Sequence, residues 1–218
     1  MDLNADMKIA AWNVRGMCNN DMKKEVRKFI REKNLSVCAT LETHLKPKQL
    51  NKACEFVYGR WPYISNIQES TRGCRIIVGW NPDEVHVMLV HSNSQSMLCL
   101  IEITNSKTQL FCSFVYAANT GKERRELWKN LERHKSLIKD DPWVLMGDWN
   151  RQSQGIQIVD DNNVTSWVSR NGEKSNFIMS KAWEDWRISN TNWQVPMNIK
   201  ESNETVIEEW KEDQLSCL

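Results

Sequence analysis

Within the stretch 142–150, read as Pro-Trp-Val-Leu-Met-Gly-Asp-Trp-Asn, a carboxylate and an amide stand two residues apart at Asp148 and Asn150. In extended chain that spacing points both side chains to one face. Projecting together, they can hold a water and a phosphate oxygen. Gly, Asp and Asn are also ordinary turn residues, so a strand running into an Asx turn accounts for the same letters. Three more polar residues close apolar runs upstream: Asn13, Glu42 and Tyr116. The set amounts to two carboxylates, two amides and a phenol, with no clustered His or Cys, and this suits a hard cation. Magnesium prefers carboxylate and water oxygens and commonly takes only one or two protein carboxylates. A cation so held polarises a phosphoryl oxygen, while a second carboxylate orients or deprotonates a water. Tyr and Asn donors then stabilise the negative charge that develops on phosphorus. The competing account is scattered polar caps on strands.

The elements that must bring these residues together can be read in order. Residues 7–12 form a strand signal ending in Asn13-Val-Arg15-Gly16. A helix opens at 19–21, with Met22, Val26, Phe29 and Ile30 on one stripe. Residues 35–41 are a second strand that delivers Glu42-Thr43-His44, and Pro47 begins a second helix with Leu50, Cys54 and Val57 on one face. Polar residues at the carboxyl ends of strands in a strand–helix alternation are where α/β folds gather sites. Four β-branched and aromatic runs follow at 75–80, 85–90, 97–103 and 110–116, joined by compact turns, and they read as an antiparallel meander. Thr120-Gly-Lys-Glu123 is a capping box for a helix with Leu127, Trp128, Leu131 and Ile138 on one side. Its opposite face mixes basic and acidic residues, which suits solvent first and nucleic-acid contact second. The run 143–146 is a buried strand behind Pro142. Past residue 150 the only strand signal is 155–159, with short helices expected at 175–188 and 205–210.

Composition narrows the class. The chain has 218 residues, a formal net charge of +1 and 26% charged residues, so no global basic field attracts a polyanion. Seven scattered cysteines without a CxxC pair read as small buried hydrophobes in a reducing compartment. No secretory signal and no run of eighteen apolar residues is found, which sets the expectation of an intracellular protein without a membrane span. Neither is there any sign of an obligate protein partner.

Trp12-Asn13-Val-Arg15-Gly16, Leu41-Glu42-Thr43-His44, Phe114-Val-Tyr116-Ala-Ala-Asn119 and Gly147-Asp148-Trp149-Asn150 together resemble the endonuclease/exonuclease/phosphatase superfamily. More narrowly, they resemble the apurinic-endonuclease-like domain of plant non-LTR (LINE-type) retrotransposons. The resemblance covers about residues 7–150 and implies an α/β fold, a four-layer α/β sandwich of two facing sheets with helices outside. It implies Glu42 as principal metal ligand, with Asn13 helping to hold metal or water. It also implies Tyr116 on the phosphate, Asp148 orienting the nucleophilic water, and Asn150 stabilising the pentavalent phosphorus. The cofactor implied is Mg2+, with Mn2+ as its substitute, the substrate DNA, and the nucleus a location by resemblance alone. The usual Phe of the last motif is Trp149 here, and His44 carries no implied catalytic role.

The sequence departs from the family after residue 150. Family members end in a second metal-binding aspartate and a Ser-Asp-His segment, whereas the histidines here are at 44, 86, 91 and 134 only. Losing such a group costs roughly two to four orders of magnitude in rate. The expectation is therefore a domain over 7–150 with an incomplete second sheet, and a divergent tail over 151–218. Five of the eleven tryptophans lie in that tail, which suggests a makeshift lid over an uncovered sheet face. Three functions stay open: a degenerate Mg-dependent endonuclease, an inactive remnant that binds nucleic acid weakly, and an exonuclease or phosphatase on small phosphorylated substrates.

Overall fold

The computed structural model describes residues 7–139 and 141–149, together with the backbone of Gly155–Asp160, Ser166–Ser169 and Ile178–Met179. In chain order the elements are β1 (Lys8–Asn13), α1 (Asn20–Lys33), β2 (Val37–Leu45), α2 (Pro47–Tyr58), β3 (Tyr63–Ser65) and β4 (Cys74–Trp80). There follow β5 (Val85–Ser92), β6 (Ser96–Ile103), β7 (Gln109–Tyr116), α3 (Gly121–Ile138) and β8 (Trp143–Asp148). The last three are β9 (Gly155–Asp160), β10 (Ser166–Ser169) and β11 (Ile178–Met179). Two mixed sheets result, ordered β10-β9-β1-β2-β4-β3 and β11-β8-β7-β6-β5.

The period-2 pattern of the strands explains the layers. Ile9 and Ala11, Val37, Ala39 and Leu41, and Ile76 and Val78 face one way from the first sheet. They meet Met97, Cys99, Ile101, Cys112, Phe114, Val144 and Met146 of the second. The alternate residues Ala10, Cys38 and Ile77 pack outward under Val26, Ile30, Cys54 and Val57 of α1 and α2. Leu98, Val115 and Leu145 pack outward under Leu127 and Leu131 of α3. The fold is thus an α/β sandwich of helices, sheet, sheet and helix, as the family resemblance implies.

Caps fall where the side chains predict them. Asn19 Oδ1 accepts from Met22 N at 2.7 Å to open α1. Thr120 Oγ1 accepts from Glu123 N at 3.3 Å to open α3.

Several expectations are corrected. The four runs from 75 to 116 are not one meander: β4 pairs with β2 and β3 in the first sheet, and only β5, β6 and β7 form an antiparallel ladder in the second. Period alone cannot tell which sheet a buried strand joins. Strand β3, three residues long, carries too short a pattern to be seen. After residue 150, β9 forms as expected, but β10 and β11 form as well. β9 pairs antiparallel with β1 and β10 with β9, extending the first sheet, while β11 adds to β8 in the second. Ile178–Met179 are strand where a helix was expected. The rest of that helix, the one expected at 205–210 and the tryptophan lid lie outside the described residues.

Candidate active site

Strand parity aims three of the five candidate side chains into the gap between the sheets. Asn13 continues the inward row Ile9 and Ala11, Tyr116 the row Cys112 and Phe114, and Asp148 the row Val144 and Met146. The apolar core therefore ends, at the carboxyl ends of parallel strands, in a polar layer. Tyr116 and Asp148 are register partners across the parallel β7–β8 pair, and Ala117 N donates to Asp148 O at 2.8 Å. Asn13 pairs with Leu41, the residue before Glu42.

The layer closes across the sheets. Asn13 Nδ2 donates to Asp148 Oδ2, and Asn13 Oδ1 accepts from Arg15 N at 2.9 Å. A carboxylate only accepts and a backbone amide only donates, so these two partners fix which way round the Asn13 amide sits. Asp148 is buried, which leaves its carboxylate at the end of the core.

Glu42 is set differently. The sequence reading placed it just past a strand, but β2 continues to Leu45 through an irregularity after Leu41. Glu42 and His44 both take left-handed backbone, φ 57° and φ 55°, a conformation costing about 1–3 kcal/mol each for such residues. Neighbours hold the kink on both sides. Gly16 N donates to Glu42 O at 2.8 Å and Met17 N to Thr43 O at 2.9 Å. The buried Thr43 Oγ1 donates to Cys74 O at 2.9 Å. Residues two apart on a strand share a face, and the two left-handed residues bend the strand so that His44 Nε2 lies 3.3 Å from Glu42 Oε1. Sequence reasoning left His44 without a role. A histidine two residues after a carboxylate was the available signal, but it means little without the kink.

Gly147 is required by packing. Its φ is 149°, and a Cβ there would lie 1.9 Å from the Val115 carbonyl oxygen. Only glycine lets β8 come this close to β7 one residue before Asp148. Trp149 turns outward and stacks on Trp128 of α3, ring centroids 5.8 Å apart and 10° from parallel. Asn150 lies outside the described residues.

Arg75 was not anticipated at this end. Its guanidinium lies 5.4 Å from the Tyr116 ring centroid, a cation–π contact. The other three histidines are elsewhere or differently engaged. His86 is on β5. His134, fully buried on the inner face of α3, bonds to His91 at 3.0 Å and to Ser113 at 2.9 Å, and Ser113 Oγ accepts from Trp143 Nε1 at 2.9 Å. Burial first, then the nearby His91 and Arg133 charges, brings the His134 imidazole down to about 4.

The donor set fits a hard cation: Glu42 and Asp148 supply carboxylate oxygens and Asn13 an amide, all at one end of the sandwich. Among the described residues no three His, Cys, Asp or Glu side chains converge.

A family model described as the endonuclease/exonuclease/phosphatase family matches residues 10–199. The chain belongs to this family. The match runs past residue 150, so most of what read as a divergent tail falls within the family's span. No curated protein matches the chain. Among solved structures, a functionally unknown conserved protein from Enterococcus faecalis V583 is 20% identical with a TM-score of 0.54, covering 67% of this chain and 68% of that one. The endonuclease domain of TRAS1, a telomere-specific non-LTR retrotransposon, is 9% identical at TM-score 0.54, covering 68% and 62%. Humanised D. rerio TDP2 is 17% identical at TM-score 0.51, covering 68% and 64%. The chain therefore spans about two thirds of the length of these structures, and the likeness is one of fold. No helix among the described residues is long and apolar enough to cross a membrane.

Proposed function

We propose that the protein is a Mg2+-dependent phosphodiester hydrolase acting on DNA, an endonuclease of retrotransposon descent. The observation that carries this reading is the bond from Asn13 to the buried Asp148, which joins the two sheets beside Tyr116 and Glu42 in a member of a family of nucleases and phosphatases. DNA as substrate is supported by two neighbours, the retrotransposon endonuclease domain and a TDP2 structure complexed with single-strand DNA product. In this reading Asp148 holds and orients the attacking water, and the Asn13 amide holds Asp148 in place. Tyr116 donates to a phosphate oxygen, Glu42 and Asn13 hold the cation, and Asn150 stabilises the pentavalent phosphorus by donating to one of its oxygens. A bound cation supplies charge stabilisation at the phosphoryl oxygens. Mn2+ fits the same oxygen donors.

The test is plasmid nicking by the purified chain with Mg2+, with EDTA, and with Glu42→Gln. Metal-dependent nicking that Glu42→Gln abolishes is the expected result; nicking no greater than that variant's background rejects the reading. A second reading is a nucleic-acid-binding protein without catalysis, for which Arg72 and Arg75 beside Tyr116 supply phosphate-binding charge. It requires DNA retention that survives Asp148→Asn, with no cleavage. Release of inorganic phosphate from small substrates without internal nicks marks a phosphatase instead.

A further inference from the structure

The cleft beside Tyr116 has walls of opposite charge. It encloses about 470 Å³, in the size range of small-ligand sites. Arg72 and Arg75 line it from β4 and the turn before β4, while Glu123 and Glu126 line it from the first turns of α3. Glu69 also reaches the rim on the arginine side, where its charge is felt by His91.

Arg75 is placed there by a buried polar device. Asn66, fully buried, accepts on Oδ1 from both Arg75 N at 3.0 Å and Ile76 N at 2.8 Å, and donates from Nδ2 to Asn93 O at 3.0 Å. Two successive N–H groups turned onto one acceptor break the strand's alternation, as in a bulge. Cys74 packs under the helices and Ile76 in the core between the sheets, so a regular strand would not turn Arg75 inward. With the break, its guanidinium lies over Tyr116. No carboxylate among the described residues lies within ion-pair distance of it.

We propose that this cleft binds the nucleotide flanking the scissile phosphate on an unpaired strand, with that nucleotide's phosphate on Arg75 and Arg72. The inference rests on the phosphodiester reading above. A duplex carries phosphates on both strands, one charge per about 1.7 Å of axis, and in filling the cleft would press one strand's phosphates against Glu123 and Glu126. A single strand can keep its backbone on the arginine wall, and the half-exposed Arg75 guanidinium, lying over the Tyr116 ring, is a plane against which a base can stack.

The test is fluorescence anisotropy with a labelled single-stranded oligodeoxynucleotide and the matching blunt duplex, in EDTA across a salt series. The single strand is expected to bind more tightly than the duplex. Arg75→Gln is expected to weaken single-strand binding about fivefold and to flatten the log K against log salt slope by about 0.7, one phosphate contact. Arg75→Lys, which keeps the charge, restores the slope. Arg72→Gln, in an exposed turn remote from the core, reads the same quantity should Arg75→Gln not fold. An unchanged slope in these variants, tighter binding of the duplex, or no binding by the unsubstituted chain overturns the proposal. The nicking assay fails or succeeds separately: metal-dependent nicking with an unchanged slope rejects only the subsite, and a flattened slope without nicking rejects only the hydrolase.

Discussion

Asn13 and Asp148, 135 positions apart, join the two sheets through one side-chain hydrogen bond. Each belongs to an otherwise apolar inward row, and each row turns polar at its last member. The bond carries both orientation and function in the reading proposed here, since the same amide that holds Asp148 also faces the cation site. Asn13→Ala is expected to slow metal-dependent nicking by about a hundredfold, the scale seen when one aimed donor is removed from a polar site. Asn13 is only half-buried, so the melting temperature should stay within a few degrees. Single-turnover nicking beside thermal unfolding separates the two effects.

His44 Nε2 lies on one oxygen of the Glu42 carboxylate, which the proposed function assigns to the cation, and partners that orient a metal ligand typically affect metal affinity tenfold or more. His44→Ala should therefore raise the Mn2+ concentration for half-saturation by about tenfold in a calorimetric titration. His44→Gln, which retains a donor, should recover part of it. An unshifted titration in His44→Ala would remove this positioning role.

Gly147→Ala should be the most destabilising single-methyl change near the site. The added Cβ meets the Val115 backbone, which cannot rotate away as a side chain would, and φ 149° strains any L side chain. A cost of about 3 kcal/mol lowers the melting temperature by roughly 10 °C in a chain of this size. Calorimetry checks it.

The buried His134 sets a pH dependence of stability. Its folded value of about 4 lies below the usual 6.5, so the unfolded chain binds the proton more readily. The contribution is fully present above pH 6.5 and is lost as pH falls from there through about 4, roughly 3 kcal/mol in all. Urea unfolding between pH 7.5 and 4.5 should show a steeper loss in the unsubstituted chain than in His134→Asn, which keeps polar atoms in the cluster but does not titrate.

The parts of the molecule legible in the sequence are those where periodicity and local chemistry agree. The row Val144 and Met146 leading to Asp148, the N-cap at Thr120, and the stripe Val26 to Ile30 each follow from spacing alone; the reciprocal half of the expected capping box does not form, since the Glu123 carboxylate takes the Thr120 hydroxyl instead of its backbone amide. Glu42 was found as a residue but not as a geometry, because nothing in Leu-Glu-Thr-His announces two left-handed residues. That kink depends on hydrogen bonds from Gly16 and Met17 and on one to the Cys74 carbonyl, all distant in sequence. Arg75 was missed for the same reason: it looks like a strand arginine until Asn66 bends the strand beneath it. Strands β10 and β11 were missed because short pairings formed on an existing sheet need little pattern of their own.

The antiparallel pairing of β9 with β1 has a consequence for how the chain must be handled. β1 carries Asn13, and its backbone is satisfied by β2 on one side and by Gly155–Asp160 on the other. A version cut back to the last recognisable motif would leave β1 with an open row of amide and carbonyl groups. That row is an invitation to self-association, running up to the residue that anchors Asp148. Trimming Gly155–Asp160 to obtain a tidier protein would thus endanger solubility and the candidate site at once, which makes that strand part of the folded body and not its packaging.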